Sequence, residues 1–421
     1  MSKDAARVRT SGLEIDETEG RRVQLLIASH KLLWTEESSS SGFATDGGFS
    51  VQVGAISELF DRVVLCTPVS AREPSGGLTP IPASIEVDAL RDPEGTLLRR
   101  RFQIFPWTWQ LFRAIRRADA VHAPVPGDVG FLAILISLVL RKRLFVRHCG
   151  TWREPRTRAD RLLRQVLERS AGGRVVVLAT GDESEPPTTS RPQVHWIFSS
   201  SIRAEDLESA PRLATRTAPA PGTARLVTGG RLIPDKGADT AIEAFAELHE
   251  KGLAAHLDVV GDGPARRSLE ERASALGVGD HVTFHGRLSR RDVLGVFDAA
   301  DLLVYPTRSS EGFPKLVLEA TSRGLPTVAT AVSAIPAMIE HSGVVVEANR
   351  NAVVTGAQDL LSNPERYRHL QSGTAEDASR YTLEAWVEEI GRHLVDAWGP
   401  WPRAADRLAP AASTGVPRGG R

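Results

Sequence analysis

The chain has 421 residues, too many for one ordinary domain and enough for two, each with its own core. Its 52 Lys and Arg balance 52 Asp and Glu, so the formal charge is zero. That argues against a nucleic-acid-coating protein and against an acidic disordered chain, but it does not exclude a local basic face. Two cysteines, Cys66 and Cys149, cannot build a disulfide framework or a cysteine-rich zinc site, so the chain reads as reduced and cytosolic.

The first twenty residues are polar and carry no signal-peptide pattern. A continuous apolar run over 23–28 predicts a buried strand. A polar loop over 34–46, with four consecutive serines, leads to Gly47 and Gly48, which open a helix over 49–60. A second buried strand follows at 63–66. Strand, glycine loop, helix and strand in that order predict a parallel sheet with crossover helices.

Residues 67–101 read as irregular. A helix over 107–117, a strand at 120–123, an apolar helix over 129–140 and a strand at 144–147 come next. The apolar run 131–140 is about half of the ~20 residues a membrane span needs. A helix over 157–170 and strands at 175–177 and 194–198 complete the first half. Residues 209–223 are rich in Ala, Pro and Thr and read as a linker. Alternation then restarts, with strands at 225–228, 257–260, 282–285, 302–305, 327–330 and 344–347 and a helix over 239–250. A last helix spans 383–397, and from Gly399 the composition predicts disorder. Two doubly wound α/β domains place a cleft between their sheet edges, and ligands sit at the carboxyl ends of such strands.

Three clusters could carry chemistry. In 310–320, Glu311 follows a strand, Gly312 and Phe313 precede a helix, Pro314 suits its first turn, and Glu319 lies about one and a half turns on. Paired carboxylates accept hydrogen bonds from vicinal diols, so one Glu fits a sugar and the other a ribose; a solvated Glu and a helix-face Glu fit the spacing as well. In 228–237, two glycines allow close backbone approach, while Arg231 and Lys236 suit a diphosphate, or are a turn with two solvated cations. Gly261 to Pro264 is weak on its own.

In this order the clusters resemble the retaining nucleotide-sugar glycosyltransferases of glycosyltransferase family 4. The matching segments are Gly-Arg-Leu-x-Pro-x-Lys-Gly at 230–237, Val-Val-Gly-Asp-Gly-Pro at 259–264 and Val-Thr-Phe-His-Gly-Arg-Leu at 282–288. Ala-Asp-Leu-Leu-Val-Tyr-Pro at 300–306 and Glu-Gly-Phe-Pro-Lys-x-x-x-Glu at 311–319 complete them. The resemblance implies a GT-B fold: an α/β protein of two Rossmann-like doubly wound domains facing a central cleft. The domains would span 21–208 and 224–380. A helix over 381–398 is a candidate to cross back to the first domain, and the tail 399–421 would be disordered.

The resemblance also assigns roles. Arg231 and Lys236 would hold the donor diphosphate, beside Gly230. Glu319 would hold the ribose, and Glu311 the transferred sugar near Gly312, Phe313 and Pro314. Gly286, Arg287 and Leu288 would flank the nucleobase. Gly47 and Gly48 would approach the phosphate and the acceptor, and His148 would contact the donor sugar; a lone His after a strand is as often structural. The family's Gly-Gly-Ile-Pro-Glu is here Ser333-Ala334-Ile335-Pro336-Ala337, a departure that touches local backbone contacts.

No Asp-any-Asp motif occurs, which favours a metal-independent site without a cofactor beyond the nucleotide-sugar donor. The partners implied are a nucleotide sugar and a hydroxyl acceptor, with no nucleic acid. Residues 141–174 carry a surplus of about eight positive charges. They read either as a membrane-surface face for a lipid-linked acceptor or as solvated helix. The aromatic residues Phe102, Phe105, Trp107, Trp109 and Phe112 read as core or as an acceptor groove. A nucleotide-sugar epimerase and a non-catalytic partner of the same architecture stay open beside the transferase.

Overall fold

The computed structural model describes residues 22–74, 77–91, 97–150, 152–153, 155, 157–181, 187–188, 193–210, 217–309 and 312–408. The strand Gln24–Ala28 lies at the centre of the first sheet, parallel to Arg62–Ser70 on one side and Ala120–Val125 on the other. Ile85–Arg91 extends the sheet beyond Arg62–Ser70. Arg143–His148, Val175–Thr180 and Val194–Ile197 extend it the other way. Val175–Thr180 is buried at every position, as a parallel strand covered on both faces requires.

The second sheet is wholly parallel. Its six strands, counted along the chain, lie in the order 3-2-1-4-5-6. The order reverses between Ala224–Gly229 and Leu302–Tyr305, so their two carboxyl-end loops diverge and leave a crevice.

Three readings need correction. Residues 34–46 are not a plain loop: Leu33–Thr35 and Phe43–Asp46 are antiparallel strands hung on the end of Arg62–Ser70. The serines close the turn between them, with the Ser39 hydroxyl donating to the Phe43 carbonyl at 2.8 Å. The described residues of 67–101 are largely regular. They hold Leu78–Pro80, Ile85–Arg91 and the start of a helix over Leu97–Arg117, and the edge strand pairs Glu86 with Arg62 at 2.6 Å. The tail is ordered as far as Leu408. Pro402–Leu408 is a helix, and Trp401 is buried against Phe60, with its indole N–H donating to the Leu59 carbonyl at 2.6 Å. Residues 409–421 lie outside the described residues.

Ser333 has φ 50°, in the left-handed region where the family pattern has glycine. The aromatic residues divide. Trp107 is buried, while Phe105, Trp109 and Phe112 are exposed and none lines the interdomain cleft; the side chain of Phe102 lies outside the description. Part of the 141–174 charge is hydrogen-bonded within the protein. Lys142 donates to the Arg116 and Ala118 carbonyls, Arg143 to the Trp398 carbonyl and Arg164 to Glu168. Among the described residues no helix is long and apolar enough to cross a membrane.

The helix Leu383–Trp398 leaves the second domain and packs on the first. Thr382 caps it, Trp386 is fully buried, and the Trp398 indole donates to the Arg174 carbonyl at 3.0 Å. On this helix His393 stacks on His195, with ring centroids 4.5 Å apart. Burial holds both imidazoles below the usual range, His393 at about 4; Asp396 opposes this and Arg392 reinforces it at His393. A histidine with a depressed folded pKa contributes stability above its unfolded value near 6.5, and that stability is lost as pH falls through the folded value. The melting temperature should therefore drop more between pH 7 and 4.5 for the wild type than for His393→Phe. Equal drops in thermal melts would contradict this.

Candidate active site

A cavity of about 710 Å³ lies between the two sheets, walled by the carboxyl-end loops of both. On the C-terminal side it is lined by Gly230, Arg231, Ile233 and Lys236, which follow the strand Ala224–Gly229. Tyr305, Ser309, Gly312, Phe313, Lys315 and Leu316, which follow Leu302–Tyr305, complete that side. Lys31, Phe49, Gln52, Arg147, His148 and Thr180 line the N-terminal side.

The two C-terminal loops are tied together. Arg308 pairs with Asp239 at 2.9 Å, donates to the Thr240 hydroxyl at 2.8 Å, and its backbone N–H reaches the Asp235 carbonyl at 2.8 Å. Gly237 turns the chain into the helix Ala238–Glu250 at φ 75°, where a Cβ would stand 2.0 Å from the Pro306 carbonyl oxygen. Only glycine lets the loops lie so close. At Gly312 the domains touch: a Cβ there would meet the Gly150 and Thr180 carbonyl oxygens at 3.3 Å.

Phe313 lines the cavity and also packs its ring in a cluster with Phe198 at 6.0 Å and Tyr381 at 5.2 Å. Pro314 is the residue before the helix Lys315–Thr321 rather than in its first turn.

His148 ends the strand Arg143–His148 and is buried, its ring edge-on to Trp152 at 5.2 Å. Burial holds its pKa below the usual range, so at neutral pH it is an uncharged imidazole. Gly47 and Gly48 join the strand Phe43–Asp46 to the helix Phe49–Ser57, whose Gln52 faces the cavity.

The structure does not bring every expected residue to the cavity wall. Gly286, Arg287 and Leu288 lie off it; Gly286 accepts from the Gly261 N–H at 2.9 Å, and Leu288 packs on the core. Glu319 also lies off the wall, and the Ser201 hydroxyl donates to its carboxylate at 2.9 Å. Ser201 occupies one acceptor site on one oxygen of that carboxylate. Glu311 lies outside the described residues.

Sequence reasoning missed Arg147, Lys315, Gln52 and Ser201. Arg147 had a visible signal, a charge at the end of an otherwise apolar buried strand. Among the described residues, five buried polar atoms on the wall have no protein partner: Nε and Nη1 of Arg147, Nδ1 of His148, the Thr180 hydroxyl and the Ser309 hydroxyl. Buried donors of this kind are matched by a bound polar ligand or by water.

Residues 215–377 match the family described as Glycosyl transferases group 1. The match covers less than half of the chain. It contains Arg231, Lys236, Gly286 to Leu288, Glu311 to Pro314 and Glu319, while His148, Gly47 and Gly48 lie outside it.

The alpha-D-kanosaminyltransferase of Streptomyces kanamyceticus is 34% identical over 165 residues, 38% of this chain and 42% of that protein. A GDP-mannose-dependent alpha-(1-6)-phosphatidylinositol monomannoside mannosyltransferase of Mycobacterium tuberculosis is 30% identical over 188 residues, 42% of this chain and 44% of that protein. The chain thus matches less than half the length of these relatives. In three dimensions the likeness is broader. The structure of Anabaena Alr3699/HepE in complex with UDP and glucose superposes with a TM-score of 0.64 at 17% identity, over 89% of this chain and 100% of that one. WaaG, a glycosyltransferase involved in lipopolysaccharide biosynthesis, superposes with a TM-score of 0.57 at 18% identity, over 90% of this chain and 100% of that one. The fold is GT-B.

Where the matched segment meets the first domain, the Glu319 carboxyl lies under opposing influences. Burial raises its pKa, and the Ser201 hydrogen bond opposes the rise. A carboxyl with a raised folded pKa loses stability as pH rises from its unfolded value through the folded one. Ser201→Ala removes a hydrogen bond to the charged form, worth about 1.5 kcal/mol. Its destabilisation, read by denaturant melts, should be larger at pH 7 than at pH 4. An equal loss at both values would show that the carboxyl does not feel Ser201.

Proposed function

We propose that the chain is a retaining glycosyltransferase of family 4 that moves a sugar from a nucleoside diphosphate sugar to an acceptor hydroxyl without a metal ion. One observation carries the reading: Arg231 and Lys236 from the switch-point loop of one sheet face a cavity whose other wall holds His148. Two cations at that place can neutralise a diphosphate as it leaves. Relatives named as mannosyl- and kanosaminyltransferases and a neighbour solved with UDP support the donor class.

In this reading the diphosphate lies beside Arg231 and Lys236 and the sugar points toward His148, whose neutral ring exchanges hydrogen bonds with hydroxyls. Glu319 takes the ribose with its remaining acceptor sites, and Glu311 takes the sugar. The bond from the anomeric carbon to the diphosphate oxygen breaks. The acceptor oxygen bonds to that carbon on the same face, and its proton passes to the departing diphosphate. Contacts such as Gly312 against Gly150 exclude water and orient the reactants.

A peripheral membrane contact is a second reading. The exposed Phe105, Trp109 and Phe112, with Arg113 and Arg116 against the rings of the last two, support it better than the 141–174 stretch does.

The test is incubation with a panel of UDP-, GDP- and dTDP-sugars, with and without a chelator. The account expects slow donor hydrolysis that survives the chelator, with the released sugar first appearing, by NMR, in the donor's anomeric configuration. Hydrolysis that stops on chelation and returns with a divalent ion, or an inverted sugar, contradicts it. Conversion of one nucleotide sugar into another without acceptor would favour the epimerase.

A further inference from the structure

The cleft holds a second pair of cations that the diphosphate does not require. Arg147 is 5% exposed. Its Nη2 donates to the Gln52 side-chain oxygen at 3.0 Å, and its guanidinium lies 4.9 Å over the Trp386 ring. Its Nε and Nη1 are buried without a partner. Lys315, from the opposite domain, lines the same cavity. Its ammonium lies against the glycine turn, 3.8 Å from where a Cβ on Gly48 would stand. Burial and then the Arg147 charge hold Lys315 down to about 8 although the Glu319 carboxylate opposes them, so the two cations feel each other in a partly desolvated space.

A buried guanidinium with two unmet donors, facing a second cation, is costly unless an anion completes it. Gln52 and Trp386 hold the head group still, so it is organised before any ligand arrives. Arg231 and Lys236, on the same wall as Lys315, are the pair that the proposed function gives to the donor diphosphate. A carboxylate would neutralise one of the two cations, whereas a phosphate monoester neutralises both.

We propose that Arg147 and Lys315 form a pocket for a phosphate ester carried by the acceptor. The word acceptor rests on the transferase reading; the phosphate pocket does not.

The test is calorimetric titration of inorganic phosphate into the Arg231→Ala/Lys236→Ala protein, in which the donor cations are gone. Phosphate should still bind, and adding Arg147→Gln or Lys315→Met should weaken it about tenfold or more, the effect of losing a charge-assisted hydrogen bond. Lys315→Met keeps the test decisive if Arg147→Gln fails to fold. In the otherwise native protein, Arg147→Gln and Lys315→Met should leave UDP and GDP dissociation constants within about twofold. Phosphate binding that both variants leave unchanged overturns the pocket. So does a loss of nucleoside diphosphate binding as large as that of Arg231→Ala, which would place the pair on the donor. If neither UDP nor GDP binds the native protein, the transferase reading fails, and the phosphate titrations still decide the pocket.

Two further arms identify the source. Displacement of phosphate by glycerol 3-phosphate, without co-sedimentation on phosphatidylglycerol vesicles, assigns a soluble ester. Co-sedimentation that Arg147→Gln abolishes assigns a lipid headgroup. Failure of both probes to compete contradicts a phosphate ester.

Discussion

The contact on which the cleft depends is the packing of Phe313 between Phe198 and Tyr381. The three rings sit 5.2–6.0 Å apart and come from the end of the first domain, the motif of the second domain and the start of the crossing helix. Aromatic pairs of this kind contribute about 0.5–1.5 kcal/mol each beyond the area they bury. They fix one end of the segment 312–319 against the first domain. Gly312 then lies against Gly150, and Lys315 lies beside the glycine turn. The two sheet edges become one site because this pivot sets their separation.

The crossing helix makes the pivot a two-domain property. Leu383–Trp398 belongs by sequence to the second domain and by packing to the first, where Trp386 covers Arg147. A motion of the second domain about Phe313 would therefore carry Lys315, Arg231 and Lys236 relative to His148 and Arg147, while Arg147 keeps its cover. The Ser201–Glu319 hydrogen bond closes the same seam from the other side.

Much of the architecture is legible in the sequence because buried parallel strands are short continuous apolar runs, and 23–28, 175–177, 257–260 and 302–305 stand out as such. The loops of the candidate site are legible for a related reason: glycines and cations stand directly after those strands. What is not legible depends on distant partners. The strands at 33–35 and 43–46 exist because the end of Arg62–Ser70 offers an edge, and Trp401 is buried because Leu59 and Phe60 lie under it. The Glu319 carboxylate meets Ser201, 118 positions away, and Arg147 meets Gln52 and Trp386 from elements far apart in the chain. Spacing along a helix or a loop carries no information about such pairs.

The central claim is that this cleft binds a nucleotide sugar with its diphosphate at the switch point of the second sheet. A crystal structure of the protein soaked with the donor that it hydrolyses fastest tests this most directly. The account predicts the diphosphate beside Arg231 and Lys236, the sugar toward His148, and Glu319 on the ribose. A nucleotide sugar bound outside the cleft, or one with its diphosphate on Arg147 and Lys315 instead, would contradict it.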